Sequence, residues 1–181
     1  MRERQLVELG EELFAERGFA KASMDELARR AGVTKPVIYE LFGSKDGLFR
    51  ACLEGLALRL AESIAEAARA EREPEARLRA GGRAFLRFAS ENRVAYELLY
   101  EGRFSDAAVA VRRRQAALIL ELMKEIASDD VDPNELEVAA NAVNSAYEGV
   151  AHWMWEHPER DVEELADWTV ELLLPGLRRF T

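Results

Sequence analysis

The sequence predicts an all-α protein with a small N-terminal three-helix head carrying a helix-turn-helix, followed by a larger helical body. Three observations carry that expectation. Ala, Leu, Glu and Arg dominate the 181 residues, and only five prolines and eleven glycines interrupt them, so intrinsic propensity favours helix almost throughout. No strand-like alternation of useful length occurs. Gly18, Gly32 and Gly43 cut the first fifty residues into short pieces, whereas the remainder breaks only near Pro74, Gly102, the SDDVDP stretch and His157-Pro158.

In the first helix Leu6, Leu9, Leu13 and Phe14 recur at helical spacing among charged residues, giving one packing face and one wet face. Gly10 within it reads as a point of close approach to a neighbouring helix. Arg17-Gly18 supplies a cationic last turn and a left-handed stop. Ser23-Met24-Asp25-Glu26 reads as a capping box, with the Ser23 hydroxyl accepting from the Glu26 N–H and the Glu26 side chain reaching back. Leu27, Ala28 and Ala31 give the second helix an apolar face, and Gly32 ends it after about two turns. Thr34 can cap the third helix, where Pro36 is tolerated in the first turn, and Ser44 can cap the fourth, expected over residues 45 to 66. A glycine turn between two short capped helices fits a DNA-binding helix-turn-helix, or a plain helical hairpin.

The net charge of −9 argues at first sight against nucleic acid, whose phosphates need clustered Lys and Arg. The distribution removes the objection. The first fifty residues balance nine basic against nine acidic side chains, and residues 21 to 50 hold six basic against four acidic. The acidity belongs to the body.

The fuller string decides between the two readings. Residues 24 to 49, MDELARRAGVTKPVIYELFGSKDGLF, closely resemble the DNA-binding signature of the TetR family, with its Ala-Gly-Val turn, a Tyr on the recognition helix and a following Phe-x-Ser-Lys-x-x-Leu. The preceding LFAERGFAKASM is similar to the same family's first helix and loop. The resemblance implies a head over residues 1 to 46 that binds a palindromic double-stranded operator, with Thr34, Lys35, Pro36, Val37, Tyr39 and Glu40 at the major groove or its flanking phosphates and Lys45 on a phosphate. Elementary chemistry agrees, since a lysine, a helix N-terminus and a tyrosine hydroxyl all suit phosphate oxygens, and Val37 can touch a thymine methyl. Glu40 departs from the common pattern. It would repel phosphate, and either accepts from a cytosine amino group or pairs with a neighbouring arginine. Arg29 and Arg30 read as a solvated face or as added backbone contacts.

The body, residues 47 to 181, is read from patterning. Residues 133 to 156 form a long helix, and residues 159 to 179 an amphipathic one with Val162, Leu165, Ala166, Trp168, Thr169, Leu172 and Leu173 on its apolar side. So much apolar surface calls for a partner. The resemblance implies a homodimer through these segments, which also places two heads the ~34–36 Å apart that adjacent major grooves demand. Asn141, Asn144, Ser145, Glu148 and His152 run through the first of these helices as a polar stripe, fitting either an interface network or the polar wall of an inducer pocket. In the second reading Phe85, Phe88, Tyr96, Leu99, Tyr100, Met123 and Tyr147 line the rest, and the occupant is a small hydrophobic or amphipathic molecule. The resemblance implies such a pocket in general, and a repressor released when it fills.

Other classes find little support. Two histidines, no nucleophile motif and no Gly-rich phosphate loop argue against an enzyme, and no cofactor is implied. Cys52 stands alone, so no disulfide or thiolate cluster is expected. Glu148 and His152 lie four apart on one helix, but a di-iron bundle wants Glu-x-x-His with facing carboxylates. With no apolar run near ~20 residues and a charged N-terminus, a cytoplasmic location away from membranes is expected.

Overall fold

A computed structural model describes residues 2–93 and 105–180. Among them are eight α-helices and no strand: α1 Arg2–Lys21, α2 Met24–Ala31, α3 Lys35–Phe42, α4 Lys45–Ala70, α5 Pro74–Glu91, α6 Ser105–Lys124, α7 Pro133–Glu156 and α8 Val162–Leu177, with a 3-10 turn over Arg178–Phe180. The all-α expectation holds. No helix among the described residues is long and apolar enough to cross a membrane. The described residues form two compact units, 2–58 with 92–93 and 105–109, and 59–91 with 110–180.

In the first unit α1 to α3 and the start of α4 close over Leu6, Leu13, Phe14, Leu27, Ile38, Leu48 and Phe49, all buried. Phe49 meets Phe14 and Phe19 edge-on at 4.9 and 5.2 Å, a preferred aromatic geometry. Gly10 is a contact point, as its position in an amphipathic helix suggests: a Cβ there would stand 3.1 Å from the Cys52 sulfur. α1 is interrupted at Gly18, which leaves helical conformation at φ 69°. Arg50, on α4, pairs with Asp106 at 2.5 Å.

The second unit packs α5 against α7 and α8. Leu86, Ala140 and Val170 are wholly buried between these helices, and the Trp155 indole N–H donates to the Ala89 carbonyl at 3.3 Å. Outside this core Arg79, Arg83 and Arg87, four residues apart on α5, face Asp167 and Glu163 on α8. Arg79 and Arg83 reach Asp167 at 3.1 and 2.8 Å, Arg83 also reaches Glu163 at 3.1 Å, and Arg87 bonds Glu163. Rising numbers on one helix pair with falling numbers on the other, so the two run antiparallel. Burial raises the Asp167 carboxyl, but the bonds from Arg79 and Arg83 outweigh it and hold the group below its usual range. The last helix starts three residues later than the pattern suggests, because the Asp161 carboxylate accepts from the Glu163 and Glu164 N–H groups at 2.9 and 3.0 Å and so fixes the N-cap.

Candidate functional site

The helix-turn-helix is built from local signals. Ser23 caps α2 from an extended conformation, but its hydroxyl accepts from the Asp25 N–H at 3.2 Å, not from that of Glu26. The reciprocal half of the expected capping box is absent because the Glu26 carboxylate is taken by Arg30 at 2.6 Å, with Arg17 at 3.8 Å. Arg30 also holds Glu16 at 2.6 Å, so this arginine ties α1 to α2 and is no free phosphate ligand. Both glutamates are held below the usual carboxylate range by these bonds. Arg29 beside it is exposed.

Between α2 and α3 the chain ends one helix and starts the next in three residues. Gly32 adopts φ 63°, a left-handed conformation that costs an L side chain, and its N–H reaches Arg29 while the Val33 N–H closes on the Ala28 carbonyl at 3.0 Å. Thr34 occupies the N-cap of α3 with no side-chain cap bond. Ile38 is fully buried and pins α3 to the head, leaving Thr34, Pro36, Tyr39 and Glu40 exposed and Lys35 and Val37 half-buried on its outer side. Lys35 donates to Asp25 at 2.9 Å, which holds its ammonium charged above the ordinary lysine range. Lys45, at the start of α4, donates to the Ala20 carbonyl at 3.2 Å and lies over the Phe19 ring at 4.7 Å. Ser44 caps α4 by accepting from the Gly47 N–H at 2.9 Å. The outer face of α3 thus combines a helix N-terminus, a lysine, a phenol and a methyl-bearing side chain, the chemistry of phosphate and major-groove contact.

The second unit encloses a cavity of about 630 Å³, within the ~300–1,000 Å³ range of small-molecule sites. Its wall is largely apolar, with Ile64 and Ala68 from α4, Phe85 from α5, Leu122 and Met123 from α6 and Phe180 from the C-terminal turn among the contributors. Asn144 and Tyr147 from α7 supply buried polar groups, and charged side chains of residues 73 to 79 and Arg178 complete the wall.

A family model described as bacterial regulatory proteins, tetR family, matches residues 6–52, and one described as tetracyclin repressor-like, C-terminal domain, matches residues 74–176. The chain belongs to the TetR family. The HTH-type transcriptional activator FasR of Mycolicibacterium smegmatis is 29% identical, over 96% of this chain and 81% of that protein. A TetR-like transcriptional regulator from Rhodococcus sp. RHA1 is 31% identical over 98% of this chain and 96% of its own, with a TM-score of 0.68. FadR from Bacillus subtilis, solved with stearoyl-CoA, shares the fold at a TM-score of 0.76 and 16% identity, covering 96% of this chain and 98% of that one. This TetR-family chain is therefore a DNA-binding transcriptional regulator and not an enzyme.

The regulator's two sets of sequence-predicted residues fare differently in space. Of the seven named on the head, Thr34 caps α3, five lie on α3 and Lys45 starts α4, and Glu40 among them has no ion-pair partner among the described residues, so the intramolecular pairing open to it is not made. In the body, Phe85, Met123, Asn144 and Tyr147 meet in the cavity wall. Asn141 is exposed and donates to the Glu137 carbonyl at 2.8 Å. Glu148 is half-buried and taken by Asn144 at 3.1 Å and Arg112 at 3.3 Å. His152 is exposed, and Phe88 is half-buried away from the wall. Tyr96, Leu99 and Tyr100 lie outside the described residues. Sequence reasoning missed Arg77, Arg79 and Gly82 in the cavity wall. A signal existed, because adjacent glycines inside a helix, at ~1 kcal/mol each relative to Ala, imply something packed tightly against them.

Proposed function

We propose that this TetR-family protein is a ligand-responsive repressor that binds a palindromic operator as a homodimer and lets go when a small hydrophobic or amphipathic inducer fills the body cavity. Residues 1 to 46 are the DNA-binding domain and residues 47 to 181 serve ligand binding and dimerisation. The observation that carries the reading is the pairing, in one chain, of an outward-facing α3 with an apolar cavity whose wall includes α4 residues Ile64 and Ala68. The same helix begins at Lys45 beside the recognition helix, so a ligand that favours one setting of α4 shifts the population of DNA-competent heads.

Dimerisation is supported by a second apolar face. Val138 and Trp153 on α7 and Trp168 and Leu172 on α8 are 40 to 80% exposed, and Ala142, Ser145 and Gly149 between the first two are small enough to let a partner helix approach closely. Selection of bound DNA from a random pool at fixed salt tests the central claim. A palindromic site lost on replacing Lys35 and Tyr39 is expected, and featureless binding overturns it. The activator role in the name of FasR favours a second reading, activation from an upstream operator. A reporter whose expression falls on deleting the regulator would select it over repression.

A further inference from the structure

The charged side chains of the cavity wall come from residues 73 to 79 and Arg178, and each of its arginines has a carboxylate partner. Arg77 bonds Glu125 through a terminal nitrogen while its buried Nε has no hydrogen-bond partner among the described residues, Arg79 has Glu75 at 3.0 Å and Asp167 at 3.1 Å, and Arg178 has Glu75 at 3.8 Å. Each cation of the described wall already has a carboxylate, and with Glu73, Glu75, Glu125 and Asp167 set against Arg77, Arg79 and Arg178 there is no surplus positive charge to draw an anion in, so an anionic group would give up its hydration for at most the single charged Arg77 Nε donor.

Neutral hydrogen-bonding capacity does remain. Tyr147 is 4% exposed and packs against the Phe85 ring at 5.9 Å, yet its hydroxyl has no hydrogen-bond partner among the described residues. A buried hydroxyl without a partner is a standing cost that an acceptor would remove. Burial also pushes the phenol's ionisation upward, so it stays a neutral donor. The hydroxyl sits in a notch on α5: a Cβ on Gly82 would come within 1.9 Å of it. Glycine is poor in a helix interior, so the notch is kept against local propensity.

We propose that the cavity takes an uncharged amphiphile, an apolar body bearing one carbonyl-type acceptor, and that the Tyr147 hydroxyl, turned slightly off the Gly82 notch, donates the hydrogen bond that selects it. This rests on the ligand-responsive reading above and adds the ligand's class and its specificity residue.

The test is calorimetric titration of the full chain with methyl decanoate, decanoate and undecane at neutral pH, with operator affinity followed in parallel. The ester should bind at least about tenfold more tightly than the carboxylate, and Tyr147→Phe should cost the ester about tenfold while leaving undecane unchanged. Gly82→Ala, which drives the phenol into the cavity, should weaken all three. Equal affinity for ester and carboxylate, or an ester affinity indifferent to Tyr147→Phe, overturns the proposal and leaves ligand response standing. Failure of every probe to bind the wild type overturns it as well. Tyr147-dependent ester binding with unchanged operator affinity upholds the site and refutes the ligand-responsive reading.

Discussion

Replacing Lys35 by Ala isolates the electrostatic part of operator binding. In the free protein the Lys35 ammonium is held by Asp25 at 2.9 Å and remains partly exposed at the start of α3, so it can transfer to a phosphate at the cost of a surface ion pair. One such contact per head is two in the proposed dimer, and each phosphate neutralised contributes ~0.9 to the slope of log affinity against log salt, so the slope should fall by about 1.8. Between ~50 and ~200 mM salt the advantage of wild type over variant should then shrink about tenfold. Fluorescence anisotropy with a selected operator, titrated at several salt concentrations, measures both slopes. The loss should be uniform across operator variants, because a phosphate contact carries no base preference. Asp25→Asn should act in the opposite direction by removing the anion that competes for Lys35. Parallel salt dependences for wild type and Lys35→Ala, or a variant altered only in base preference, would refute the assignment of Lys35 to phosphate.

Leu27→Ala, at a fully buried position of the head, should cost ~2–5 kcal/mol of stability by chemical denaturation, and a loss under ~1 kcal/mol would contradict the packing described. Glu16, Glu26, Glu125 and Asp167 are all held below the usual carboxylate range by arginine partners, so their stabilisation is complete above about pH 5 and drains away as pH falls through their lower folded values. The melting temperature should therefore drop steeply only in acid, and Glu125→Gln combined with Asp167→Asn should blunt that drop. An unchanged acid profile in the double variant would be the contrary result. Trp168→Glu with Leu172→Glu should convert a dimer into a monomer in sedimentation at micromolar protein, and a wild-type monomer would refute the interface.

The head was legible because its determinants are local. A cap at Ser23, a left-handed Gly32, Pro36 in a first turn and Ser44 each act within a few residues, and the apolar spacing of Leu27 and Ile38 fixes which side faces in. Local reading failed where a salt-bridge network intervened, as when Arg30, four residues on and also bonded to Glu16 of α1, drew Glu26 away from the cap. The body was legible as helices but only partly as a site. Its polar stripe straddles the boundary between two faces of α7: Asn144 turns inward with Tyr147, whereas Asn141, Ser145 and His152 turn out. That boundary depends on where α5 and α6 lie, which spacing along one helix does not encode. Gly82 shows the same dependence, since its meaning appears only when Tyr147 arrives from 65 residues away in sequence.

The arginine ladder between α5 and α8 is fault-tolerant. Asp167 has both Arg79 and Arg83, and Glu163 has both Arg83 and Arg87, so deleting any one arginine leaves neither carboxylate stranded. Removing Asp167 instead returns Arg79 to Glu75 and Arg83 to Glu163. Single substitutions at Arg83, Arg87 or Glu163 should be absorbed quietly, whereas Arg79, which also lines the cavity, is the ladder residue whose loss would reach the binding site.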